Sequence, residues 1–457
     1  MVTGLARRLR LADYFSLGWG TMVGVGWLVV MDDWLLRGGP LGGILGFAIG
    51  GVLLLPIGFV YGKWVIAMPD ASGEVAYTAR VFPRPVSFYT GWMMMLAYFI
   101  VCPWEAVAVG RLAGFILPSL NRIVLYSVAG KPVYLPHLVI GLGLTALVTL
   151  VNYRGIRLSA TFQNWTTFGT LALFVIFVGL GVARGSTANL PPLFTHTPLV
   201  SILLVLQIVP YFMTGFESVT KAAEEASPEF RARGFSHVIL TAIIVGFVFY
   251  VVVIAAVGFV APWRQLIGAP FMTAIAFEHA VGARWIVSII MSAALLSLFK
   301  VFNGNFIAAS RLLFAMARRG LLTNQLAAVH PRNQTPAAAV LATGIATGLF
   351  MFLGSAILVP ISEVGSVASA TGWFAVCAAF LCTRPGTRDY LIALLGASVG
   401  LAMALMKFLP FVPGHFSGWE WLALGIWILL GSVLGRARVP ELATDKNSMD
   451  SGPSVES

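Results

Sequence analysis

The sequence predicts an all-α polytopic membrane protein of about twelve transmembrane helices, and three observations lead there. Of 457 residues, 58% are hydrophobic and 10% charged, whereas a soluble domain carries about 25% charged residues. So much apolar surface needs lipid as its solvent. Apolar runs long enough to cross a bilayer recur along the whole chain, and the basic residues between them alternate in density from one connection to the next.

The opening segment, 1–14, holds Arg7, Arg8 and Arg10 but no small-residue cleavage pattern. The apolar run behind it is too long for a signal peptide and reads as a retained first span. Spans are expected near 15–36, 41–61, 86–117, 135–153, 162–183 and 199–222. Six more follow near 235–261, 285–309, 337–354, 359–382, 391–409 and 419–434. About 20 residues suffice for a helix to cross, so the third, being longer, should tilt. The polar tail, 443–457, reads as disordered and cytoplasmic.

Twelve spans put both termini on one side. The connections on that side hold 20 of the 29 basic residues, and the opposite side holds seven, Arg37 and Lys407 among them. That bias places both termini in the cytoplasm and accounts for the net charge of +11 without nucleic acid as a partner. Cys102, Cys377 and Cys382 lie in apolar runs with neither metal-ligand spacing nor a disulfide framework. No metal and no cofactor are expected. An enzyme is disfavoured, since neither a Gly-x-x-x-x-Gly-Lys-Ser/Thr loop nor a His-Glu-x-x-His pair occurs. A non-transporting membrane sensor is the alternative of a different class, although a sensor normally carries a sizeable soluble output domain and the span map shows none.

Two spans have sequences unsuited to a continuous helix. The first reads Gly18-Trp19-Gly20-Thr21-Met22-Val23-Gly24-Val25-Gly26-Trp27, and each glycine costs about 1 kcal/mol relative to alanine within a helix. Either small residues let helices pack closely, or the backbone unwinds where it lines a cavity. The sixth runs Val209-Pro210-Tyr211-Phe212-Met213-Thr214-Gly215-Phe216-Glu217, with a proline, a glycine and a carboxylate at mid-span. Interrupted helices at corresponding places in two halves of a chain point to a transporter's substrate site.

With these segments in view, the chain resembles the amino acid–polyamine–organocation (APC) permeases. Five places carry the likeness. They are Gly24-Val25-Gly26, where the family has a Gly-Ser-Gly break, Met68-Pro69-Asp70-Ala71-Ser72-Gly73-Glu74 with Gly91-Trp92, and Asn152-Tyr153-Arg154-Gly155. The other two are Gly215-Phe216-Glu217 through Pro228, and Ser310-Arg311-Leu312 through Arg318. The resemblance implies two inverted five-helix repeats, 15–183 and 199–382, with two peripheral helices over 391–434. It also implies a secondary active permease, working by alternating access in the plasma (inner) membrane, that holds an amino acid or related amine at the unwound segments. A polyamine or organic-cation importer, or an amino-acid exchanger, fits the same family.

Carried over by position, Val25 and Gly26 donate N–H groups to a substrate carboxylate. The carbonyls of Met22, Tyr211 and Thr214 take its ammonium, and Val23, Gly24, Phe212 and Gly215 complete the two segments. Tyr211 occupies the aromatic gate position. Trp27 replaces a smaller aliphatic residue and either packs or shapes the pocket. Glu217 matches the family as a protonation or gating residue.

Two charges depart from the pattern. Thr170 falls where many relatives carry a span-five lysine standing in for sodium, while Lys300 sits within span eight. A mid-membrane charge costs about 2.5–3.5 kcal/mol by insertion scales, so it has a partner or a function. Lys300 reads either as a tethered cation or proton acceptor at the sodium-like site, or as a structural ion pair. Glu105 in span three either meets the amine of a cationic substrate or neutralises Arg111 or Lys300. Protons are the candidate coupling ion. The oligomeric state is left open.

Overall fold

The computed structural model describes residues 7–269 and 271–436. The 443–457 tail and the first six residues lie outside that range. The described chain is almost wholly helical. The first span is broken into α1 (Leu11–Met22) and α2 (Gly26–Val29), and α3 (Met31–Ala67) continues it into the second. Then come α4 (Glu74–Ala79), α5 (Arg84–Phe99) and α6 (Val101–Ile116), a hairpin of β1 (Val124–Val128) and β2 (Lys131–Tyr134), α7 (Leu135–Arg154) and α8 (Ile156–Arg184). The sixth span is also in pieces, α9 (Pro198–Leu206), α10 (Val209–Met213) and α11 (Ser218–Lys221). The rest comprises α12 (Gly234–Val260), α13 (Met272–Val281), α14 (Trp285–Arg318), α15 (Ala337–Phe350), α16 (Leu358–Cys382), α17 (Thr387–Phe408) and α18 (Gly418–Arg436).

Ten helical segments among the described residues are long and apolar enough to cross a membrane, against about twelve expected. The first and sixth expected spans are not among the ten, because each of their helical pieces is too short. Between spans one and two the sequence suggests a connection at 37–40. Instead α3 runs through it, kinked at Gly39, whose φ of +67° only glycine adopts without strain. A Cβ at Gly39 would lie 2.7 Å from the Leu193 carbonyl, so the kink is also a close backbone approach. The eighth span runs to Arg318 rather than ending at 309. The β1–β2 hairpin was not anticipated, because its exposed strands lack apolar alternation.

The lipid-facing helices keep apolar residues outward, as with Ile426 and Leu429 on α18 and Val175 on α8. Polar and charged side chains are turned inward, and this inversion is what a bundle in lipid requires. The end of the bundle that carries Arg8 and Leu9 is tied by four charge contacts. Lys221 pairs with Glu74, both fully buried, Arg311 with Glu225 at 3.1 Å, Arg318 with Glu224 at 2.9 Å, and Arg319 with Asp70 at 2.6 Å. Burial is the largest single effect on the Asp70 carboxyl and raises it, but the Arg319 guanidinium and hydrogen bonds from Ser72 together outweigh burial and hold the carboxyl below its ordinary range. At the opposite end Arg37 bridges Asp33 (2.8 Å) and Glu363 (2.9 Å), and Lys407 joins Glu363. Arg311, Arg37 and Lys407 thus lie within helices, not in the connections where the sequence reading put them.

Candidate functional site

Both interrupted spans unwind at the expected residues. α1 stops at Met22 and α2 starts at Gly26, with Val23 extended (φ −94°, ψ 95°). α10 ends at Met213, Thr214 is extended, and Gly215 takes φ +137°. The breaks touch. A Cβ on Gly26 would lie 2.5 Å from the Phe212 ring, and one on Gly215 would lie 2.7 Å from the Met22 nitrogen. Unwinding explains the glycines better than packing alone, and the packing reading holds too, since each glycine sits where a side chain would collide.

In the first break the carbonyls are almost fully subscribed. Asn305 donates to Thr21 (3.0 Å) and Tyr250 to Met22 (2.9 Å). Ser297 donates to Val23 (3.0 Å) and Gly24 (2.8 Å). The Lys300 ammonium lies on the Val23 carbonyl and 3.5 Å from that of Gly20, over the Trp19 ring at 4.5 Å. The amides are only partly subscribed. The Gly24 N–H faces the Tyr250 hydroxyl and the Val25 N–H faces the Glu105 carboxylate. Those of Gly26 and Trp27 meet no acceptor among the described residues.

The sixth break is the reverse. The Tyr211 amide donates to Ser366 (3.2 Å), the Thr214 hydroxyl donates to the Pro210 carbonyl (2.6 Å) and joins Ser369, and the Gly215 amide donates to Glu217 (3.1 Å). Among the described residues no donor meets the carbonyls of Tyr211, Phe212, Met213 or Thr214. One break therefore presents free donors and the other free acceptors, both buried. A buried backbone group left unpaired costs about 1–3 kcal/mol, so each set favours a ligand of complementary charge.

The remaining site residues fall into place around this pair. Lys300 is fully buried and makes no ion pair among the described residues; Glu105 is the charge that acts on it. Of the expected partners for Glu105, Lys300 interacts electrostatically and Arg111 does not; Arg111 faces Asp32 instead. One Glu105 oxygen is buried with no hydrogen-bond partner, as is one of Glu217. Trp27 packs edge-on against Phe177 and Phe249, and its carbonyl takes the Thr273 hydroxyl (2.7 Å). Thr170 returns its hydroxyl to Thr166 and lines a small apolar cleft with Trp27. It does not reach Lys300; Gln163 and Thr167, two turns and one turn earlier, crowd Gly20 beside the lysine.

Gln163, Asn303, Asn305, Ser297 and Tyr250 were not picked out from the sequence. A signal existed for two of them: Ser297, Lys300 and Asn303 follow one another at intervals of three within α14. The structure links Asn152, Asn303 and Gln163 by bonds of 2.9 Å into a chain leading to the Ser16 carbonyl.

Comparison with known proteins bears on this arrangement directly. The amino acid permease family model matches residues 9–433, nearly the whole chain. The chain belongs to that family. This permease is 27% identical over 445 residues to a methylthioribose transporter of Bacillus subtilis, covering 94% of this chain and 93% of that one. It is 25% identical over 449 residues to a branched-chain amino acid permease of the same organism (94% and 92%). A vacuolar cationic amino acid transporter of Arabidopsis thaliana is 26% identical over 391 residues (82% and 63%). The permease is accordingly an integral membrane transporter of a small molecule rather than an enzyme.

Proposed function

We propose that the permease is a secondary active transporter of an amino acid or related amine, with the substrate bridging the two breaks. The observation that carries this reading is the opposition of free amides at Gly26 and Trp27 to free carbonyls at Tyr211–Thr214. A zwitterion has the matching pair of charges, its carboxylate toward the first break and its ammonium toward the sixth. The first-break carbonyls, expected to share the ammonium, are instead used by side chains. Alternating access in the plasma membrane, twelve crossings with both termini cytoplasmic, and inverted repeats over 15–183 and 199–382 belong to the same reading.

Lys300 acts in it as a tethered cation. Its ammonium lies on the Gly20 and Val23 carbonyls, where a free monovalent cation would otherwise neutralise the end of α1, so transport does not need sodium. A second reading has one specific support: the unpartnered oxygen of Glu105 favours substrates with an additional amine, as the cationic relative's name suggests. The test is uptake into proteoliposomes of labelled leucine, lysine, putrescine and methylthioribose, with proton and sodium gradients imposed separately. Saturable, sodium-independent uptake of leucine or lysine is expected. Transport of methylthioribose alone would overturn the amino-acid reading, and a strict sodium requirement would overturn the role of Lys300.

A further inference from the structure

A cavity of about 620 Å³ is lined by none of the residues of either break. Its walls are the last turns of α6, β2 of the hairpin, the start of α7, Phe271 and the 351–357 turn. The hairpin is fixed over it by the Tyr126 hydroxyl, which donates to the Phe352 carbonyl (2.6 Å). This size suits a small organic ligand.

Its polar lining is one-sided. Arg111, Lys131 and His137 face it and no carboxylate does. The Arg111 guanidinium makes no hydrogen bond or ion pair among the described residues; it lies 5.9 Å from the Phe271 ring centre, with Asp32 acting on it only at longer range. His137 has a ring nitrogen that is buried and unpartnered. The apolar lining is aromatic: Phe115 and Phe271 stand 4.9 Å apart. Phe271 is held at φ +52°, a left-handed conformation that a bulky residue adopts only under strain, of order 1–3 kcal/mol. A partly buried, unpaired guanidinium beside a strained aromatic wall is a costly arrangement for a structural element. It is what recognition of a planar anion with an apolar body needs, because the guanidinium fork matches a carboxylate in two parallel bonds.

We propose that this cavity is a second binding site, separate from the transport site, for a small organic carboxylate with an aromatic or otherwise apolar body. Arg111 holds the carboxylate, Lys131 and His137 add donors at the rim, and Phe115 and Phe271 flank the body. The proposal does not depend on which substrate crosses at the breaks.

The experiment is saturation-transfer NMR on the full chain in lipid nanodiscs, with benzoate, its neutral isostere benzamide, and inorganic phosphate as probes. Benzoate is expected to bind at least tenfold more tightly than benzamide. Arg111→Gln should weaken it tenfold or more, and Lys131→Gln, an exposed hairpin change that disturbs no packing, several-fold. Gly26→Val, which blocks the contact between the breaks, should leave benzoate binding intact. Benzoate affinity unchanged in both Arg111→Gln and Lys131→Gln overturns the site, as does its loss in Gly26→Val. Phosphate binding more tightly than benzoate overturns the carboxylate assignment.

Discussion

The two breaks do the same geometric work by different chemistry. In the first, the end of α1 is capped by an ammonium, Lys300, and by three neutral donors, Ser297, Tyr250 and Asn305. In the sixth, the partners are two hydroxyls from α16, Ser366 and Ser369, and a carboxylate from the break itself, Glu217. A helix end with exposed carbonyls carries a partial negative charge, and a buried cation answers it. The sixth break keeps its carbonyls free, so its negative end is left for something that arrives. The comparison teaches that a buried cation on the carbonyls of a break can mark the half that is already neutralised, while the half whose carbonyls carry none is the better place to look for the substrate's ammonium.

The comparison can be broken by substitutions of decreasing expected severity. Gly26→Val puts methyl groups into the Phe212 ring and should reduce uptake at least a hundredfold with the protein still expressed; uptake within threefold of wild type would separate the breaks functionally. Lys300→Ala removes the cation from the first break, and uptake should fall tenfold or more and then partly recover with added sodium. If uptake is unchanged and sodium has no effect, the lysine is structural. Tyr250→Phe takes one hydrogen bond from the Met22 carbonyl, worth about 1 kcal/mol, so a three- to tenfold loss in kcat/KM is expected. Ser366→Ala acts on the sixth break and should cost about threefold or less, with no sodium effect; a larger loss than Tyr250→Phe would reverse the ranking of the two sites.

The smallest effect concerns the ion pairs beneath the breaks. Asp70 has a lowered pKa in the folded chain, so its pairing stabilises above the unfolded carboxyl range and is lost as pH falls through the folded value. Asp70→Asn should lower the melting temperature by about 2–4 °C, equally at pH 8 and pH 6, with the difference from wild type shrinking only below about pH 4. A difference that already disappears between pH 8 and 6 would mean another group controls that end.

Much of this was legible in the chain. Composition required lipid, because no soluble core could hide so much apolar surface. The glycines of 18–26 and the Pro210–Gly215 stretch marked the regions of both breaks, since backbone that leaves the helix needs residues that tolerate it. The mid-span positions of Lys300 and Glu105 marked them as unusual. The span count was less secure, because a broken span has no long helix to count and the Gly39 kink joins two spans into one. The partners were not legible at all. Sequence spacing brings Ser297 and Lys300 to one face of α14, but it does not say that this face meets the carbonyls of α1.

What the sequence determined by itself is therefore the class of molecule, the family resemblance and the residues that cannot be ordinary helix. Those properties are local, set by hydropathy over a span and by backbone tolerance at single residues. Tertiary structure decided which charge meets which peptide group: Lys300 on the carbonyls of α1, Glu105 toward the Val25 amide, Arg111 beside an aromatic cavity. Electrostatic recognition depends on distance between segments far apart in the chain, and only packing fixes that distance.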